Sequence, residues 1–305
     1  MKAGTNLEKV LESGKFTVTA EAGPPKGTSV ASVQKKGELL RHCCDAVNVT
    51  DNQTAIVRMS SLTGCLILKQ QGIDPVMQMV VRDRNRLAIQ SDLLGAVALG
   101  VGNVLCLSGD HQKFGNHPGA KGVFDIDSIQ LIQTLKMMRD EKKFLSGEDI
   151  NGEVPLFIGA AANPFADPSE FRVSRLAKKV KAGADFIQTQ AVYDVDRFRQ
   201  WTEAVVERDL DKQTHILAGV IPIKSAGMAR YMRDYVPGVI IPDEIVTRME
   251  QATEAKEEGV KIILEVIEQL KEIPGVHGIH IMAVSWEDII PEVVRKAVLM
   301  PRPVL

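Results

Sequence analysis

The stretch Gln78-Met-Val-Val-Arg-Asp-Arg-Asn-Arg86, followed by Asn103-Val-Leu-Cys-Leu-Ser-Gly-Asp110, decides how this chain reads. Each half opens as an apolar, strand-like run and closes on polar or charged groups. A strand covered on both faces shows a continuous apolar run. Its polar end is then the point where the backbone leaves the core and can meet a ligand.

The same pattern recurs on both sides of this stretch. Strand-like runs fall at 15–22, 46–51, 76–81, 103–109, 156–163, 186–192, 215–222 and 278–285. Helix-period segments lie between them near 29–43, 60–71, 86–99, 127–142, 171–182, 194–208 and 224–235. Several open on a capping residue, as at Ser60, Asp127 and Asp194, and several close on glycine, as at Gly72, Gly100 and Gly183. Strand–helix alternation implies right-handed crossovers and a parallel sheet.

Eight strands are the number that closes a parallel barrel. An open doubly wound sheet would give similar strands, but no Gly-x-Gly-x-x-Gly turn follows the first one. The expected fold is a (β/α)8 TIM barrel with extra helices near the C-terminus, as one catalytic domain over residues 1–305. The Glu- and Lys-rich segment 242–273 reads as an inserted helical stretch with a solvated face supported by i,i+4 pairs. A last amphipathic helix is expected near 286–299.

Composition narrows the function. With 45% hydrophobic and 25% charged residues the 305-residue chain is of ordinary globular type. A formal net charge of -2 provides no long-range field for nucleic acid or an anionic membrane. No run reaches the roughly 20 apolar residues of a membrane span. The N-terminal stretch lacks a signal peptide's apolar core, so a cytoplasmic location is expected.

Cys43, Cys44, Cys65 and Cys106 lack Cys-x-x-Cys spacing and read as buried thiols, so no metal or cluster site is expected. Six scattered histidines include no His-Glu-x-x-His, and neither a Gly-x-Ser-x-Gly elbow nor a Walker loop is present. Hydrolase and phosphoryl-transfer chemistry therefore find no support.

The polar residues that end the strands become the candidates: Glu21, Thr50, Asp51, Gln78, Arg82, Asp110, Asn163, Gln190, the Pro222–Ser225 turn and Ser285. Glu21 precedes Gly23-Pro24-Pro25, so it stands either as a general acid in a desolvated mouth or as a solvated turn residue. Asp110 follows Ser108-Gly109, where glycine permits close approach to a ligand, and taken singly it also reads as a helix N-cap. Gln188 and Gln190 share one strand face. They suit either a planar heterocycle or a polar core layer. Arg175, Lys178 and Lys179 follow the fifth strand, within reach of a phosphate at the rim or merely solvated.

These residues, taken in order, resemble the methylenetetrahydrofolate reductase family, in particular its short prokaryotic form. The resemblance rests on Ala20-Glu-Ala-Gly-Pro-Pro25, Val49-Thr50, Arg82-Asp-Arg-Asn-Arg86 with Gln90-Ser-Asp-Leu-Leu94, Leu107-Ser-Gly-Asp110 and Lys179-Val-Lys-Ala-Gly-Ala-Asp-Phe-Ile-Gln-Thr-Gln190. It implies flavin-dependent reduction of 5,10-methylenetetrahydrofolate to 5-methyltetrahydrofolate. Glu21 would be the acid that protonates the folate, Asp110 the carboxylate that binds the pterin and tunes the flavin, and Gln190 a substrate contact. Thr50, Gln78, Ser108, Gly109, Asp110, Asn163, Arg175 and Lys179 would face the cofactor, FAD or FMN.

Several positions depart from a well-known branch of the family: Ser108 stands for Arg, Asn163 and Asp167 for Tyr and His, Arg175 for Asn, and Ala226 for an aromatic residue. In these features the chain resembles the reductases of anaerobic acetogens. That likeness implies electrons from NAD(P)H or from an iron–sulfur electron-transfer subunit, within an oligomer or hetero-complex. Two rivals stay open: a flavin-free pterin-binding methyltransferase subunit, and a barrel retained only for interaction.

Overall fold

The computed structural model describes residues 1–236 and 238–305. Eight parallel strands close on themselves in sequence order: β1 (Thr17–Ala22), β2 (Ala46–Val49), β3 (Pro75–Val80), β4 (Asn103–Leu107), β5 (Phe157–Ala162), β6 (Phe186–Ala191), β7 (His215–Val220) and β8 (Gly278–Ile281). The seam pairs Ala20 with Ile281, so β8 lies beside β1. This is the expected TIM barrel, and every strand falls within its expected run except β3, which starts one residue earlier, at Pro75. Most runs end beyond the strand because their last residues, such as Thr50–Asp51 and Ser108–Gly109, leave the ladder to build the rim.

The outer helices are α2 (Val30–Leu40), α3 (Ser61–Gln70), α4 (Arg86–Ala98), α5 (Ser128–Asp140), α6 (Ser169–Ala182), α7 (Val195–Val206) and α8 (Ala226–Tyr235). Their local signals act as expected. Ser60, Asp127 and Asp194 each accept a backbone N–H at the helix start, and Asp127 with Gln130 completes a capping box. Gly72, Gly100 and Gly183 follow α3, α4 and α6 with positive φ, where glycine has no Cβ penalty.

The segment 242–273 is two helices, α9 (Asp243–Gln251) and α10 (Ala255–Lys271), because Ala252 is extended. Its charges also pair differently from the expected i,i+4 ladder. Arg248 on α9 reaches across to Glu258 and Glu265 on α10, and the pairs within α10 are i,i+3. The final helix α11 is shorter than expected (Ile290–Lys296), following a 3-10 turn at Glu287–Ile289. Among the described residues, no helix is long and apolar enough to cross a membrane.

Layers fill the barrel. At the N-terminal end, Leu7 and Leu11 of a helix unforeseen in the sequence, α1 (Asn6–Glu12), pack with Ala46, Val76, Leu105, Phe157, Phe186 and Leu217. The Phe157 and Phe186 rings stack at 5.3 Å, and a side chain at Gly159 would overlap Phe186.

Above them sits a polar layer. Asn48 donates to Gln188 at 2.7 Å, Gln188 donates back to Asn48 and to Thr19, and Thr19 pairs with His280 Nδ1 at 2.9 Å. Burial pushes His280 down to about 3, so the ring is neutral and its pairing with Thr19 involves no ion. Apolar and hydrogen-bonded layers thus fill the lower barrel, beneath the C-terminal ends of its strands.

Candidate active site

Glu21 rises from β1 just above the polar layer. Its two carboxylate oxygens accept from the amides of Gln78 on β3 (3.1 Å) and Gln53 on the loop after β2 (3.2 Å). Burial raises its pKa above the usual carboxylate range. The two amides pull it down, the charge of Glu287 adds to the rise, and Lys36 offsets part of it. The net result is a carboxyl that keeps its proton to higher pH than a solvated glutamate.

Gln53 belongs to a tight turn in which Asn52, Thr54 and Ala55 all adopt positive φ (45°, 55° and 55°). Such backbone is costly for Thr and Ala, and it persists here because neighbours hold it. The Thr54 N–H donates to Asp110 Oδ2 at 3.0 Å, and a side chain at Gly115 would overlap the Ala55 carbonyl. One turn thus touches both Glu21 and Asp110. Sequence reading missed Gln53 and Thr54; only Asn52, a residue tolerant of left-handed backbone, hinted at the turn.

Asp110 is exposed, and its backbone carbonyl accepts from Arg82 Nη1 at 2.9 Å. It does not cap the following 3-10 turn, whose N-cap is His111. Gly109 has φ +84°, and an added Cβ would lie 3.0 Å from Val80 Cβ, so both conformation and space call for glycine. Ser108 donates to Ser128 at 3.2 Å. Thr50 is buried near Gly23, and its hydroxyl oxygen has no hydrogen-bond partner.

The Arg82-Asp-Arg-Asn-Arg86 motif proves to be scaffold for this rim. Arg82 bonds Asp83 and the Asn52 carbonyl, Arg84 clamps the buried Asp51 at 2.7 Å, and Arg86 pairs with Asp125 at 2.8 Å. Asp51 in turn accepts from the Val80 N–H at 3.0 Å, and Asn85 caps α4. The cations of the motif are therefore engaged within the protein, holding the loops after β2, β3 and β4 together.

A second group forms where β5 and β6 end. Asn163, Arg175, Lys179 and Gln190 line one cavity of about 180 Å³, joined by Arg172. Lys179 donates to the Ala161 carbonyl. Burial and the neighbouring Arg175 charge lower it to about 8. Arg172 has a buried Nε without a partner, a signal that sequence reading did not single out.

Gln188 stays in the polar layer below, so the two glutamines serve different levels of the barrel. Lys178 lies outside the cavity, near the Phe171 ring. Asp167 pairs with Arg197 in a larger groove of about 510 Å³ between α6 and α7, on the outer side of the barrel. The candidate residues thus fall in two groups: Glu21, Thr50, Gln78, Gly109 and Asp110 around the ends of β1 to β4, and Asn163, Arg175, Lys179 and Gln190 around one cavity at the ends of β5 and β6, while Asp51 and Arg82 serve as scaffold. Among the described residues, no group of three or more His, Cys, Asp or Glu side chains is arranged to hold a metal ion.

Comparison with known proteins places the chain as a whole. The family model for methylenetetrahydrofolate reductase matches residues 6–298. Methylenetetrahydrofolate reductase 2 of Saccharomyces cerevisiae is 26% identical over 308 residues, 94% of this chain and 48% of that protein. Methylenetetrahydrofolate reductase 1 of Schizosaccharomyces pombe is 26% identical over 236 residues, covering 75% of this chain and 36% of that protein. The chain spans about half the length, or less, of these curated relatives.

Among solved structures, a Clostridium thermocellum protein that binds two copies of 5-methyl-5,6,7,8-tetrahydrofolic acid superposes with a TM-score of 0.66 at 16% identity, over 96% of this chain and 99% of that one. Oxaloacetate acetylhydrolase follows with a TM-score of 0.52 at 11% identity, over 98% of this chain and 85% of that one. At these identities both show the shared barrel alone. The family match, in contrast, runs from α1 through α11. The chain belongs to the methylenetetrahydrofolate reductase family.

Proposed function

We propose that this chain reduces 5,10-methylenetetrahydrofolate to 5-methyltetrahydrofolate with a bound flavin, and that Glu21 is its general acid. The observation that carries this reading is the Glu21 carboxyl, raised in pKa by burial and held by two amides at the open end of the barrel. Opening the bond between N10 and the methylene carbon needs a proton at N10, and a carboxyl that keeps its proton to higher pH than a solvated glutamate suits that task. Asp110, exposed and fixed by the Thr54 N–H, presents an acceptor to the donor edge of the pterin. Gln190 offers both a donor and an acceptor across the rim.

The residues present fit a flavin. The buried Thr50 hydroxyl lacks a partner, and the orphaned Nε of Arg172 stands with Arg175 and Lys179 around one cavity. A bound flavin would supply the hydride for the methylene carbon. Thr50, Gln78, Ser108, Gly109 and Asp110 would hold its ring end, and Asn163, Arg172, Arg175 and Lys179 its phosphates. Three cationic side chains match a diphosphate better than a monophosphate, which favours FAD over FMN. Ala226 leaves no aromatic side chain at the start of α8, which favours electrons delivered by an iron–sulfur partner subunit over direct reduction by NAD(P)H.

The purified chain should be yellow and release FAD on denaturation. Glu21→Gln should keep the flavin and lose folate reduction. A colourless protein that binds folate without flavin would overturn the reading in favour of a methyltransferase-type barrel.

A further inference from the structure

The turn that carries Glu21 out of the barrel is fixed from the far end of the chain. Lys36 on α2 donates to the Gly23 carbonyl at 3.0 Å, two residues past Glu21, and to Glu287 Oε1 at 2.5 Å. Glu287 starts the 3-10 turn after β8 and reaches this place because β8 closes the barrel against β1. Both side chains are largely covered, at 26% and 18% exposed, so their charges are screened less than those of a surface pair.

We propose that Lys36 and Glu287 are the positioning unit of Glu21: Lys36 pins the turn just past Glu21 through the Gly23 carbonyl, and Glu287 holds Lys36 there while bringing an opposite charge to the same place. The groups that bear on Glu21 from the elements packed around it are the neutral amides of Gln78 (β3) and Gln53 (the loop after β2), Lys36 (α2) and Glu287 (the turn after β8). The amides favour the ionised carboxyl through hydrogen bonds, Lys36 favours it through charge, and Glu287 opposes it. Burial raises the baseline, and the pair trims it up or down. Nothing in this layout requires the two residues to touch a substrate.

Opposite charges at one site predict opposite shifts. Glu287→Gln removes the like charge, so Glu21 should ionise at lower pH and the alkaline limb of the activity profile should move acidward. Lys36→Met removes the compensating cation and should move it toward higher pH. The double variant should return near the starting midpoint, and Lys36→Arg should retain it.

The inference relies on the proposed acid role for its kinetic readout only. A second readout is independent of turnover: a carbon-13 NMR titration of the glutamate side-chain carboxyls, with the Glu21 signal assigned by its absence in Glu21→Gln. Opposite shifts of the Glu21 midpoint in the two single variants support the proposal even if the chain reduces no folate. Midpoints that stay put, or move the same way, overturn it whatever happens to stability. Opposite shifts by NMR with no folate reduction by the wild type would discard the proposed activity and leave the positioning unit standing.

Discussion

Glu21 and Asp110 are held by consecutive residues of a single turn: the Gln53 amide donates to one carboxylate, and the Thr54 backbone N–H donates to the other. The two come from strands separated by β2 and β3 in the barrel, yet their spacing is set by one piece of backbone in left-handed conformation. A change in this turn should therefore disturb both groups together. Gln53→Ala should lower the activity at the optimum and shift its pH dependence, because Glu21 loses a hydrogen bond that favours its ionised form. An unshifted profile would show that the turn does not reach the acid.

Glu21 also predicts how stability depends on pH. Its folded pKa lies above the unfolded value, so its contribution is fully present below the unfolded pKa and fades as pH rises through the folded one. Glu21→Gln should thus be more stable than the wild type on the alkaline side, with the gap closing on acidification. Denaturant melts across a pH series measure this directly, and a gap that widens in acid would contradict it.

Arg84 and Asp51 form a clamp in which the carboxylate side chain is 1% exposed and also accepts the Val80 N–H. Arg84→Met leaves that charge without its cation and should destabilise the protein by about 3 kcal/mol in urea melts. Arg86→Met, at a solvent-screened pair, should cost far less than Arg84→Met.

Thr50→Val should separate binding from folding. The Thr50 hydroxyl is buried without a partner, so its removal should leave the flavin-free protein as stable or up to about 1 kcal/mol more stable. The same change should weaken flavin retention. Equal flavin affinity in both proteins would place the cofactor elsewhere.

Lys179, lowered to about 8, should make flavin affinity pH-dependent. Its charge is present below that value and lost above it, so binding of the anionic phosphates should weaken as pH rises through the pKa. Lys179→Arg should remove that dependence, and a titration of bound flavin against pH in both proteins checks it.

Much of the barrel was legible because its strands are buried on both faces and so stand out as apolar runs that lead into Glu21, Asp110 or Gln190, whereas Gln78, read as a strand end, sits inside β3. Caps and glycines marked most helices. What was not legible depends on distant pairing. Gln53 looks like any loop amide until the chain folds it against Glu21. Lys36 and Glu287 lie 251 positions apart and meet only across the β8–β1 seam. Leu7 and Leu11 become a barrel plug only once the closed floor exists. The Arg82–Arg86 motif, conspicuous in the sequence, is spent on holding loops together.

The most direct test is a single-turnover experiment on the flavin-loaded chain, reduced chemically so that the natural electron donor does not matter, then mixed with 5,10-methylenetetrahydrofolate. The wild type should reoxidise and yield 5-methyltetrahydrofolate, while Glu21→Gln, still carrying flavin, should be slower by about 10²-fold or more. Equal rates in the two proteins would contradict the assignment of Glu21 as the acid.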